Sequence, residues 1–142
     1  VVATELGDKR VLIVDDDSTN RVLLVRLLSR AGITRVREET DGAAVRDAVA
    51  AFDPHLVLLD LHLGDAVDGF EALETLAKSD PRFAHRAVLV LTGDIGDEVT
   101  QRAVALGARG VLTKPYNPLD FITTVEGLLR GTDPPAGTGP RA

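Results

Sequence analysis

Four short segments of this 142-residue chain carry residues able to do chemistry: Asp15-Asp16-Asp17, Asp60, Thr92 and Lys114-Pro115. Each directly follows an apolar stretch: RVLIV before the acidic triplet, LVLL before Asp60, AVLVL before Thr92 and GVLT before Lys114. Carboxylates gathered in one place repel one another unless a cation or a lysine neutralises them. Hard oxygen ligands without His or Cys suit Mg²⁺ or Mn²⁺, and Mg²⁺ is commonly held by one or two carboxylates plus waters. A metal, a lysine, a hydroxyl and one further carboxylate make a site suited to a phosphoryl group. The metal and Lys114 would neutralise its oxygens, Thr92 would donate a hydrogen bond, and one aspartate would attack as nucleophile. Asp60 stands alone after its apolar run and is the candidate nucleophile; paired Asp15 and Asp16 are better metal ligands.

The apolar pattern supplies the elements that must bring these groups together. Arg10–Val14, Leu56–Leu59 and Ala87–Leu91 are continuous apolar runs that do not alternate, as expected of strands covered on both faces. The more polar Thr34–Glu38 fits an edge strand, and Arg109–Thr113 makes a fifth. Between them run helical stripes: Leu23, Leu24, Leu27, Leu28 and Ala31; Ala44, Val45, Ala48 and Val49; Phe70, Leu73 and Ala77; Val99, Ala103 and Leu106; and Phe121, Ile122, Val125, Leu128 and Leu129. Ser18 is expected to cap the first helix and Gly32 to end it; Gly107 ends the fourth, and Asn117-Pro118 opens the fifth. Strand and helix alternating five times imply an α/β fold, a doubly wound parallel sheet with helices on both faces. Such sheets bind ligands outside the carboxyl ends of the strands, where strand order reverses. In the order 2-1-3-4-5, four of the five strands deliver a charged or polar group to that edge. The second, ending in Glu38-Glu39, lies beyond it.

Composition narrows the function further. With 44% hydrophobic and 27% charged residues, the chain reads as one globular domain. A net charge of −6 argues against a general nucleic-acid-binding surface. The lack of cysteine removes disulfides, thiolate metal sites and thiol catalysis. Apolar runs of about five or six residues fall far short of a membrane span. These features predict a cytoplasmic protein with neither membrane nor direct nucleic-acid partners. Residues 1–9 are expected as an N-terminal extension, 10–130 as the domain, and 131–142 as a disordered tail or linker rich in Gly and Pro.

VLIVDDDSTNR (residues 11–21), HLVLLDLHL and DGFEAL (within 55–73), VLVLTGD (88–94) and GVLTKPY (110–116) together resemble the response-regulator receiver domain. This is the phosphoacceptor half of two-component signalling, and the resemblance runs in order over roughly residues 10–130. It implies the flavodoxin-like (βα)5 fold. It also implies Asp15 and Asp16 as Mg²⁺ ligands, joined by Asp60 and the backbone carbonyl of His62. Asp60 becomes the phosphoacceptor, Thr92 and Lys114 the residues that read phosphorylation, and the Lys114-Pro115 peptide is cis. The partners implied are a sensor histidine kinase or phosphotransfer protein upstream and an effector protein or attached output domain downstream. The face built by the fourth helix, fifth strand and fifth helix would change shape, and a phosphorylation-dependent homodimer is a further expectation. Such a domain is a switch with slow autophosphatase activity at most, not a turnover enzyme.

Three positions depart from the family pattern. Val111 stands where an aromatic is usual, and the loop after Asp60 is a residue longer, with Gly64 in place of Pro. Gly93 is small, which leaves Asp60 open to a large phosphodonor. Rival readings are weaker. A haloacid-dehalogenase-like phosphatase would use Asp15 as nucleophile and Asp17 as acid/base, but leaves Asp60 without a role and lacks a later acidic pair. A flavodoxin-like nucleotide carrier would meet repulsion from Asp15–Asp17. A phosphorylation-independent receiver-like interaction module would be signalled by loss of Asp60 or Lys114, and both are present. The absent initiator Met and the linker-like tail favour a domain cut from a longer regulator or hybrid kinase over a single-domain regulator.

Overall fold

The computed structural model describes residues 6–62, 68–93 and 96–131. Most of the expected tail, the Gly64 position and Asp94 lie outside them. Five strands alternate with five helices: β1 (Arg10–Val14), α1 (Ser18–Arg30), β2 (Arg35–Glu39), α2 (Val45–Phe52), β3 (Leu56–Asp60), α3 (Gly69–Ser79), β4 (Ala87–Thr92), α4 (Asp97–Ala105), β5 (Gly110–Thr113) and α5 (Pro118–Leu129). All pairings are parallel and the strand order is β2-β1-β3-β4-β5. This is the doubly wound parallel sheet that the alternation predicts, in the 2-1-3-4-5 order of the flavodoxin-like fold that the resemblance implies.

Side chains of one strand divide between two cores, because successive residues point to opposite faces. Val11 and Ile13 of β1 join Leu24, Leu28, Phe121 and Val125 under α1 and α5. Leu12 and Val14 join Val45, Val49, Leu73, Leu76 and Ala103 under α2, α3 and α4. Strands β3 and β4 are buried at every position, and the edge strand β2 at none. The unbroken apolar runs thus mark the central strands.

Local chemistry sets most of the helix ends. Asp17, not Ser18, caps α1: its carboxylate accepts from the amides of Thr19 and Asn20. The shift is one residue, and aspartate satisfies the same open amides while its charge favours the positive helix end. Asp68 caps α3 by accepting from the Glu71 amide, and Asn117 caps α5 with Pro118 at its first position. Gly32 and Gly107 take positive φ of 86° and 110° after α1 and α4. At Gly107 a Cβ would also lie 2.5 Å from the Phe83 ring. Two expected stripe residues turn outward: Leu23 is 45% exposed, and Ala77 is exposed while Leu76 takes the core position on α3.

Candidate functional site

β1, β3, β4 and β5 all run the same way, so their carboxyl ends meet at one edge of the sheet. β1 delivers Asp15. Its amide continues the ladder by donating to the Glu39 carbonyl at 3.0 Å. Its carboxylate is held on both oxygens: Oδ1 accepts from the Asp17 amide at 2.9 Å, and Oδ2 accepts from the Asn20 side-chain amide. Its carbonyl accepts from Arg21 Nη1 at 2.8 Å, and Arg21 in turn pairs with Glu38 at 3.1 Å. The first turn of α1 therefore folds back and fixes Asp15, which is 1% exposed. Neighbouring Asp16 is exposed.

β3 ends in Asp60, 3% exposed. One oxygen accepts from the His62 amide at 2.9 Å, and the other takes the Lys114 ammonium at 3.0 Å. Burial pushes the Asp60 carboxyl above the usual carboxylate range and the Asp15 charge adds to the rise, while the His62 amide and Lys114 pull against it. Lys114 follows β5, its amide donating to the Thr92 carbonyl at 2.7 Å, and the Lys114-Pro115 peptide is cis, as the family resemblance implies. Thr92 closes β4, fully buried and one residue beyond Leu91, the residue paired with Asp60. The predicted groups are thus brought to one edge, with Lys114 bonded directly to Asp60.

Asp15, Asp16 and Asp60 can each present a carboxylate oxygen within 4.8 Å of the other two. Three hard, anionic oxygens at that spacing fit a divalent cation such as Mg²⁺ or Mn²⁺. Burial, then the charges of Asp15 and Asp60, push the pKa of the buried Tyr116 hydroxyl up to about 12, while a hydrogen bond with the Asn20 side chain pulls the other way. Asp17 is not available as the acid/base of a dehalogenase-like site, since its carboxylate caps α1. His55 lies away from this edge, with Nδ1 accepting the amide of Arg10 at the start of β1. His85 sits in a 3-10 turn before β4.

Nothing in the sequence pattern singles out Asn20, Arg21 or the Tyr116 hydroxyl. All three lie within the segments that carry the resemblance, and their contacts arise from how the start of α1 and the loop after β5 pack around Asp15. A polar residue in the first turn of a helix that begins three residues after a buried aspartate is the signal that could have found Asn20.

Comparison with known proteins agrees with this geometry. Residues 11–126 match the response regulator receiver domain family. The transcriptional regulatory protein GltR of Pseudomonas aeruginosa is 34% identical over 122 residues, covering 86% of this chain and 49% of that protein. This chain thus spans about half the length of that relative. A probable chemotaxis protein CheY of Rhizobium etli is 33% identical over 120 residues, covering 84% of this chain and 92% of that protein. Among solved structures, the signal receiver domain of a DNA-binding response regulator from Colwellia psychrerythraea superposes with a TM-score of 0.77 at 28% identity, covering 87% of this chain and 99% of that one. With the five-stranded order and the acidic edge already in place, these matches establish that the chain belongs to the response regulator receiver domain family.

Proposed function

We propose that Asp60 accepts a phosphoryl group from the phosphohistidine of a sensor kinase or phosphotransfer protein, and that the domain acts as a phosphorylation switch. The observation that carries this reading is the Asp60–Lys114 pair at 3.0 Å beside the Asp15–Asp16 carboxylates. Asp15, Asp16, Asp60 and the His62 carbonyl would hold Mg²⁺ or Mn²⁺, which when bound neutralises phosphoryl oxygens. Asp60 supplies the attacking carboxylate oxygen: it bonds to phosphorus as the bond to the donor nitrogen breaks, and the imidazole leaves. Lys114 neutralises charge at the new acyl phosphate, and Thr92 donates its hydroxyl to a phosphoryl oxygen. Hydrolysis of that acyl phosphate by water is slow, so the domain works as a timer without turnover of a substrate.

The switch is a shift between two existing states, favoured by the contacts Thr92 and Lys114 make with the added phosphoryl group. Both residues sit at the base of the face formed by α4, β5 and α5, the face that would select an effector or a second copy of the chain. Val111 packs with the core under α2, α3 and α4, so no aromatic at that position relays the movement. Residues 10–130 would form the switching unit, working in the cytoplasm; among the described residues, no helix is long and apolar enough to cross a membrane.

Incubation with Mg²⁺ and acetyl phosphate, read by intact mass, tests the proposal. The expected result is one added phosphoryl group on the native chain, dependent on Mg²⁺ and absent from Asp60→Asn. An unmodified native chain, or equal modification of Asp60→Asn, would overturn it and favour the phosphorylation-independent interaction module.

A further inference from the structure

The residue that immediately precedes each of β1, β3, β4 and β5 is basic: Lys9, His55, Arg86 and Arg109. Parallel strands gather their amino ends as they gather their carboxyl ends, so these residues come together at the edge opposite Asp60. There they line one cavity of about 260 Å³, with His85 beside them and Leu128 of α5 as an apolar wall. Among the described residues no carboxylate lines it. In a chain of net charge −6, a cavity walled by basic groups alone runs against the overall balance.

The two guanidinium groups already have work in the fold. Arg86 pairs with Asp80 and Asp53, neither of which lines the cavity, and Arg109 donates to the Ala84 carbonyl at 2.8 Å. Lys9, His55 and His85 differ. Among the described residues the Lys9 ammonium makes no ion pair and the His85 ring no hydrogen bond. His55 accepts the Arg10 amide on Nδ1 at 3.0 Å. Burial, then the charges of Arg10 and Lys9, hold its pKa below the usual histidine range, so at pH 7 the ring is mostly neutral. With Nδ1 accepting, the ring proton sits on Nε2 as a donor.

Cationic and N–H donors converging in a concave site without an acid match an anion. The three donors come from separate segments, ahead of β1, β3 and β4. A tetrahedral oxyanion offers oxygens in as many directions, whereas a carboxylate offers two in one plane. At about 260 Å³ the cavity falls below the roughly 300 Å³ at which sites for drug-sized ligands begin, so the ligand is small. We propose that this cavity is a second ligand site, binding a small phosphate-class anion through the Lys9 ammonium, the His55 Nε2–H and the His85 ring. It lies at the other end of the sheet from the acidic edge and does not depend on the role of Asp60.

Titration of inorganic phosphate into isotope-labelled native chain, Lys9→Gln and His85→Gln tests this, read by amide and imidazole NMR signals. Buffer at pH 7 with EDTA and constant ionic strength keeps phosphate from a metal at the acidic edge and holds general salt effects fixed. Saturable shifts are expected at Lys9, His55 and His85, with Asp15 and Asp60 unmoved. Each variant should bind about ten-fold more weakly while keeping the native spectrum elsewhere. Glycerol 3-phosphate, titrated in parallel, separates two sources of the same chemistry. Tighter binding than inorganic phosphate would support a phosphate ester as the ligand, and equal or weaker binding the free ion. Shifts that never saturate, shifts centred on Asp15 and Asp60, unchanged affinity in both variants, or acetate binding as tightly as phosphate would each overturn the proposal.

Discussion

Asp60 is nearly buried, faces the Asp15 carboxylate, and has one ammonium within reach. Burial raises its pKa in the folded state, so the folded protein holds the Asp60 proton to higher pH than the unfolded chain does. By linkage, Asp60 stabilises the fold when protonated, and that contribution is lost as pH rises through the raised folded value. In metal-free buffer at neutral pH, Asp60→Asn should therefore raise the melting temperature, and MgCl₂ should raise that of the native chain but not of the variant. A lower melting temperature for Asp60→Asn would contradict the electrostatic account of this edge. At this scale the sequence is informative wherever a residue's role follows from its place at a strand end, as for Asp15, Asp60, Thr92 and Lys114. Asn20 escapes it because its hold on Asp15 depends on side-chain direction between the end of β1 and the start of α1, which spacing along the chain does not encode.

The elements place these residues through close backbone approaches as much as through apolar burial. Gly69 opens α3 directly against the end of β3, where a Cβ would lie 2.4 Å from the Leu61 Cα and 2.6 Å from the Asp60 carbonyl oxygen. Backbone cannot yield as a side chain can, so Gly69→Ala should cost roughly 1–3 kcal/mol and displace the loop next to Asp60. Gly127, inside α5, has open space where a Cβ would stand, with nothing within 4 Å, and Gly127→Ala should stabilise by about 0.5–1 kcal/mol. Urea denaturation of the two variants checks the opposite signs. The strands and the capped start of α5 are legible because continuous apolar runs and Asn-Pro are strong local signals. The α3 stripe reads a residue out of place because Phe70 and Ala77 suggest the apolar face, while Gly69 and Ala72 let the helix pack closely and turn Leu76 inward.

Across the whole molecule, charge is arranged at two ends of the sheet. The carboxyl ends of the strands carry the acidic edge, and the opposite end carries a network centred on buried Arg86. Its guanidinium donates to Asp80 at 2.6 Å, to Asp53 at 2.7 Å and to the Pro54 carbonyl at 2.9 Å. For Asp80, burial opposes ionisation, but hydrogen bonds from Arg86 and the Arg82 amide outweigh it and hold the carboxyl below the usual carboxylate range. Its contribution is therefore present above about pH 4 and lost as pH falls through the depressed folded value. Arg86→Met should cost on the order of 3 kcal/mol at pH 7 by leaving Asp80 unpaired, and the deficit should shrink below about pH 4; denaturation at the two pH values measures this. Sequence order alone supplies the alternation and the acidic edge, whereas this second network depends on the α2–β3 and α3–β4 connections meeting at the far end of the sheet and leaves no pattern to read. A phosphoryl group at Asp60 that Thr92 and Lys114 sense should move the face of α4, β5 and α5. The amide spectrum of ¹⁵N-labelled protein, recorded with Mg²⁺ before and after adding beryllofluoride, reads that movement residue by residue. Shifts should appear at Asp60, Thr92 and Lys114, extend along α4, β5 and α5, and vanish in Asp60→Asn. An unchanged spectrum, or shifts confined to Asp15, Asp16 and Asp60, would show that phosphorylation does not reach that face.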